Sequence, residues 1–81
     1  MRRLYYYSTP WCVPCQSFGP VMDQVGAVVP VVKVNVDYEA DLAQRANVRS
    51  VPTVILVEND QEIRRFTGAK SYQDVMQFIN G

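Results

Sequence analysis

Apolar and polar positions alternate along the chain with two periods, and the switches between them mark the elements. Leu4-Tyr5-Tyr6-Tyr7 is a short apolar, aromatic-rich run, read as a buried strand over residues 4–8. Phe18, Val21, Met22 and Val25 then recur at i, i+3, i+4 and i+7, the spacing of one helix face. That periodicity predicts a helix from about Cys12 to Val28. Pro20 cannot donate to the carbonyl of Gln16 and is expected to kink it, and Pro30 blocks any continuation. Over residues 31–36 the period changes to two, placing Val32, Val34 and Val36 on one face and Lys33 and Asn35 on the other. Asp37 then caps a weaker helix over Tyr38–Ala46.

Thr53–Val57 is continuously apolar, as in a strand covered on both faces. Glu58-Asn59-Asp60-Gln61 reads as a hairpin turn into Glu62–Phe66, whose apolar members are Ile63 and Phe66. Ser71-x-x-Asp74 resembles a capping box for a last helix, with Tyr72, Val75, Met76 and Ile79 on one side. The pattern is βαβαββα. Right-handed crossover makes the first two strands parallel neighbours, and the last two pair as an antiparallel hairpin. The expected architecture is α/β, a mixed four-stranded sheet with helices on both faces.

Eighty-one residues, 48% of them apolar, suffice for one core, so a single domain over 1–81 is expected. A formal net charge of zero implies neither a nucleic-acid footprint nor a polybasic membrane patch. Met1-Arg2-Arg3 is followed by too short an apolar run for a secretion signal, and Gly26, Pro30 and Lys33 break the most apolar segment, so no membrane span is expected.

The candidate chemistry lies in Ser8–Gly19, which holds both cysteines and the only tryptophan. Cys12-Val13-Pro14-Cys15 falls where the first strand hands over to the first helix. A thiol there sits over unpaired amides and the positive end of the macrodipole, which favour an anion. With Cys12 as the N-cap, the first-turn amides that could reach it are those of positions 14 and 15. Pro14 has no N–H, so Cys15 is left to support the Cys12 sulfur as a thiolate, the nucleophilic form. As a staple the pair is poorly placed, because closing a four-residue loop gives only about 2 kcal/mol. Two thiols and no histidine fall short of a closed zinc site in one chain. Redox chemistry is the first reading, with metal binding or a plain structural disulfide as its rivals.

Taken together, Trp11-Cys12-Val13-Pro14-Cys15, Pro20, Lys33-Val34-Asn35-Val36-Asp37, Val51-Pro52-Thr53 and Gly68-Ala69-Lys70-Ser71 resemble the thioredoxin family from Leu4 to Ile79. The resemblance implies a thioredoxin-like fold and a dithiol–disulfide oxidoreductase that reduces protein disulfides. Cys12, exposed over the helix end, would attack; Cys15 would resolve the mixed disulfide. It implies a cis peptide at Val51-Pro52, presenting the Val51 backbone to an extended substrate strand. Trp11 would shield and contact beside Cys12, with Val13, Pro14 and Gly68 shaping the site. No cofactor and no metal are implied. The implied partners are disulfide-containing proteins and a thioredoxin-reductase-type flavoprotein, with neither nucleic acid nor membrane involved, and a cytoplasmic monomer is expected. A glutaredoxin-type electron donor to ribonucleotide reductase and a non-enzymatic binding subunit remain the alternatives.

Three departures from the family pattern stand out. The chain starts directly at the strand before the cysteines, so the sheet is expected to have four strands. Val13 replaces the usual glycine. Tyr6 stands where the family has a buried aspartate, while the aspartate's lysine partner is kept as Lys33. A phenol is a donor rather than a base at neutral pH. The Tyr6 hydroxyl and the Lys33 amine are therefore expected to meet beneath Cys15, directly or through water, as the candidates for moving its proton.

Overall fold

The computed structural model describes residues 1–81 and follows the expected order. Its elements are β1 (Arg2–Ser8), α1 (Val13–Val25), β2 (Val31–Asn35), α2 (Ala40–Arg45), β3 (Thr53–Glu58), β4 (Gln61–Thr67) and α3 (Tyr72–Asn80). The strands form one sheet in the order β2-β1-β3-β4. β1 and β2 are parallel, and β1–β3 and β3–β4 are antiparallel.

β1 occupies the middle of the sheet, which explains its unbroken apolar run. Leu4 and Tyr6 face one side, where they meet Phe18, Met22 and Val25 of α1 and Val75 and Ile79 of α3. Tyr7 faces the other side with Val34, Ala43 of α2 and Ile55. The two sides share β3 in the same way: Val54 and Leu56 join the first core and Ile55 the second. Alternation persists in both strands but is hidden, because each face has a cover.

Boundaries moved for local reasons. α1 passes through Pro20 and ends at Val25, three residues short of the expected stop. Ala27 and Val28 instead donate to Gln24 and Val25, a tightened turn that starts at Gly26 and carries the chain toward Pro30. α2 begins at Ala40 rather than Tyr38, and Asp37 does not cap it. The Asn35 carbonyl takes the N–H groups of Tyr38 and Glu39, so those residues are spent in a turn. At α3 the expected cap forms, with Ser71 Oγ accepting the Asp74 N–H at 3.1 Å.

The hairpin turn is the two-residue loop Asn59-Asp60, with φ of 54° and 67°. Two successive positive φ values match a tight hairpin to the twist of its strands. One strand expectation fails. Ile63 is 45% exposed, while Phe66 packs on Phe78 and Phe18. Leu56 pairs with Arg64 and Val57 with Glu62, so Ile63 is the extra residue of a β-bulge and leaves the core face. Val32 also fails to bury fully, at 39% exposed, since β2 is a sheet edge and α2 spans only six residues.

Candidate active site: the Cys12–Cys15 pair at the start of α1

The register places the parts of the site at one end of the sheet. Tyr7 lies opposite Thr53, so the loop carrying the cysteines leaves β1 beside the Val51-Pro52 segment that enters β3. Cys12 and Cys15 are joined as a disulfide, with Cα atoms 5.2 Å apart. Cys12 is the N-cap of α1, with extended backbone (φ −79°, ψ 111°), and its Sγ accepts the Cys15 N–H at 3.2 Å. Pro14 occupies the first turn, which contains no acidic side chain. The helix start therefore favours negative charge on the Cys12 sulfur through one aimed amide and the macrodipole.

Cys12, expected to be exposed over the helix end, is buried. It is 4% exposed and Cys15 6%. The bond to Cys15 turns the Cys12 sulfur inward, and the neighbours that project are Trp11, 67% exposed, and Val13. Accessibility does not separate the two thiols in this oxidised state. The hydrogen bond to Cys12 does.

Trp11 stands over a groove of about 380 Å3, lined by Thr9, Val36, Asp37, Val48 and Val51 among others. Its indole Nε1 donates to Asp37 Oδ2 at 2.9 Å, which is where the carboxylate expected to cap α2 is employed. The Val51–Pro52 peptide is cis. The Pro52 carbonyl accepts the Gly68 N–H at 2.9 Å, and Thr53 Oγ1 donates to the Ser50 carbonyl at 2.7 Å, so the loop is tied at both ends. Gly68 holds φ +88°, a conformation side chains resist, and that position explains the glycine. From β4, Arg65 reaches across to the Ala46 carbonyl at 2.7 Å and is gripped by both carboxylate oxygens of Glu62. It thereby anchors the start of the same loop.

On the other side of the disulfide lies a cleft of about 300 Å3, lined by Tyr6, Ser8, Thr9, Cys15, Gly19 and Lys33 among others. Tyr6 and Lys33 are paired across β1 and β2, as the resemblance implies. Their polar ends do not bond directly. The Tyr6 hydroxyl donates to the Cys15 carbonyl at 3.5 Å, and the Lys33 ammonium binds Asp23 Oδ1 at 2.5 Å. Of the meeting expected directly or through water, the direct form is absent, because a carboxylate on α1 gives the ammonium a charged acceptor and a phenol does not. Burial pushes the Tyr6 phenol above its ordinary value of 10.0, against smaller opposing effects of Ser8 and Lys33. Asp23, Asp37 and Arg65 carry no signal in the sequence, since their partners lie 10 to 26 residues away.

Fold and site together define a thioredoxin-fold dithiol protein, and comparison with known proteins narrows this. The family model described as thioredoxin matches residues 2–81. Thioredoxin of Haemophilus influenzae is 36% identical over 75 residues, covering 88% of this chain and 70% of the relative. Among solved structures, a mutant thioredoxin of Halobacterium salinarum superposes with a TM-score of 0.92 at 27% identity, over 98% of this chain and 72% of that one. A thioredoxin of Nicotiana alata gives 0.90 at 30% identity, over 98% and 70%. The chain belongs to the thioredoxin family. With its two cysteines at bonding distance, it is a dithiol–disulfide oxidoreductase of the protein-disulfide reductase type.

Proposed function

We propose that residues 1–81 act as one thioredoxin-like domain in the cytoplasm, passing electrons from a flavoprotein reductase to disulfide-bonded proteins. The observation that carries the reading is the Cys15 N–H aimed at the Cys12 sulfur at the N-cap of α1. It stabilises negative charge on Cys12 and makes Cys12 the attacking sulfur. An extended substrate segment lies against Trp11 and the Val51 backbone, where free strand-like N–H and C=O groups pair with it. Val13 and Pro14 shape the rim beside the sulfur, Pro52 fixes the course of the loop, and Gly68 holds the Pro52 carbonyl. Cys12 takes one substrate sulfur and releases the other as a thiolate. Cys15 then attacks Cys12, regenerating the disulfide seen here and releasing the second thiol. Tyr6, a donor at neutral pH, is no base for Cys15. The Cys15 proton leaves through water in the polar cleft, past the Lys33–Asp23 pair.

Insulin reduction tests the reading. NADPH with a thioredoxin reductase is expected to support turnover, and glutathione with its own reductase to support little. The reverse ranking assigns the protein to glutaredoxin-type donors. Full biological complementation by a Cys12→Ser/Cys15→Ser double variant assigns it a non-enzymatic binding role.

A further inference from the structure

Thr9 precedes Cys12 by three residues, and its carbonyl accepts the Cys12 N–H at 3.3 Å. Its side chain stands apart from the other polar groups of the site. Thr9 is 5% exposed, and its Oγ1 has neither a protein partner nor a surface open to solvent. One other buried side-chain polar atom shares that condition, the Nε of Arg64, and the Arg64 guanidinium lies over the Phe78 ring. Thr9 has no such substitute. A buried hydroxyl without a partner is costly, and in a native structure it calls for a reason.

The reason lies in the redox state. Thr9 lies between the two hollows and lines both, and Cys15 lines the cleft with it. In the disulfide the Cys15 sulfur carries no proton, and a neutral divalent sulfur is a weak acceptor. The Cys12 sulfur already accepts the Cys15 N–H. Reduction by two electrons and two protons turns the pair into two thiols, and Cys15 then bears either an S–H donor or a negatively charged acceptor. We propose that the Thr9 hydroxyl is the hydrogen-bond partner of Cys15 in the dithiol state and during resolution, left unpaired when the disulfide closes. The inference rests on Cys15 as the resolving thiol. In that step the Cys15 thiolate, held by Thr9 Oγ1–H, attacks Cys12 Sγ of the mixed disulfide. The Cys12–Cys15 bond forms and the Cys12–substrate bond breaks. The electron pair leaves on the substrate sulfur, which takes up a proton from solvent equal to the one Cys15 released.

A hydroxyl satisfied only in the dithiol favours the dithiol. Thr9→Val keeps the shape and removes the hydroxyl, so it is expected to shift the equilibrium with the reduced and oxidised glutathione couple toward the disulfide. The shift expected is roughly five- to 150-fold, from the cost of a stranded buried hydroxyl; tenfold corresponds to about 30 mV. Thr9→Ser retains the hydroxyl and is expected to stay within about twofold of the wild type. Alkylation of thiols at equilibrium reads both. An unchanged constant in Thr9→Val overturns the proposal, as does a shift toward the dithiol. A shift in Thr9→Ser equal to that in Thr9→Val assigns the effect to packing and overturns it too. Should Thr9→Val not fold, Thr9→Ala against Thr9→Ser gives the same comparison. No turnover is needed, so failure of the reductase reading, seen in the insulin assay, is distinguishable from failure here.

Discussion

Two hollows flank the Cys12–Cys15 disulfide, and they differ in lining. The groove under Trp11 is walled by Val36, Val48 and Val51, with Thr9, Arg49 and Ser50 at its polar edges and its one carboxylate, Asp37, engaged by the indole. The cleft behind Cys15 is lined by Tyr6, Ser8, Thr9, Gln16, Lys33 and Asn35, and Gly19 leaves open space within it. A groove with aliphatic walls and fixed edges suits docking of an extended chain, since the Val36, Val48 and Val51 surfaces are desolvated at little cost in hydrogen bonding. A polar cleft suits the passage of a proton, because water inside it finds partners. Under the proposed roles, attack at Cys12 and resolution by Cys15 face surfaces of different chemistry, one turn of helix apart.

The cysteine variants give the largest effect that separates the two sides. Cys12→Ser is expected to drop insulin reduction to background. Cys15→Ser is expected to keep the attack and accumulate covalent adducts with substrates, visible by mass spectrometry. Faster alkylation of Cys15 than of Cys12 in the reduced protein would reverse the assignment. Trp11→Ala perturbs only the groove. It is expected to raise KM for a protein disulfide by roughly tenfold or more, the scale of a buried aromatic anchor, and to change the rate with a small aromatic disulfide far less. Equal losses with both substrates would place Trp11 in the chemistry rather than in docking.

Gly68→Ala tests the support behind the groove. Forcing a side chain to φ +88° costs roughly 1–2 kcal/mol, so the midpoint of urea unfolding is expected to fall, with a smaller rise in KM. The smallest effect belongs to the cleft. The Tyr6 phenol titrates above 10.0 in the fold because burial disfavours its charged form. A group whose folded value is raised keeps its contribution below the unfolded value and loses it as pH rises through the folded one. Stability is therefore expected to decline above about pH 10, and Tyr6→Phe to remove part of that decline. Tyr7, raised chiefly by burial as well, supplies another part. An identical alkaline limb in Tyr6→Phe would show that the phenol is solvated in the fold.

Much of this was legible along the chain because it depends on neighbours a few residues apart. The N-cap position of Cys12, the silence of Pro14 and the amide of Cys15 are all properties of one helical turn. The Ser71 cap and the Asn59-Asp60 turn are equally local. Ile63 went wrong because a bulge is settled by register against β3, and nothing within Glu62–Phe66 announces it. Asp37 went wrong because a carboxylate that can cap a helix can also accept from an indole 26 residues earlier.

The order of elements, the two covered faces of β1 and β3, and the chemistry of the C-x-x-C were determined by the sequence itself, through periodicity and first-turn hydrogen bonding. The tertiary structure alone decided which charged and polar groups meet. It gave Lys33 a direct bond to Asp23 and not to Tyr6, tied Arg65 to the Ala46 carbonyl at the start of the loop that leads to Pro52, and left the hydroxyl of Thr9, which lines the cleft behind Cys15, without a partner. The physical reason is one of range. Backbone preferences and apolar periodicity act over a few residues and read directly from the chain. A hydrogen bond or ion pair needs two groups within about 3 Å in one geometry, and only the packed sheet and helices bring distant residues that close.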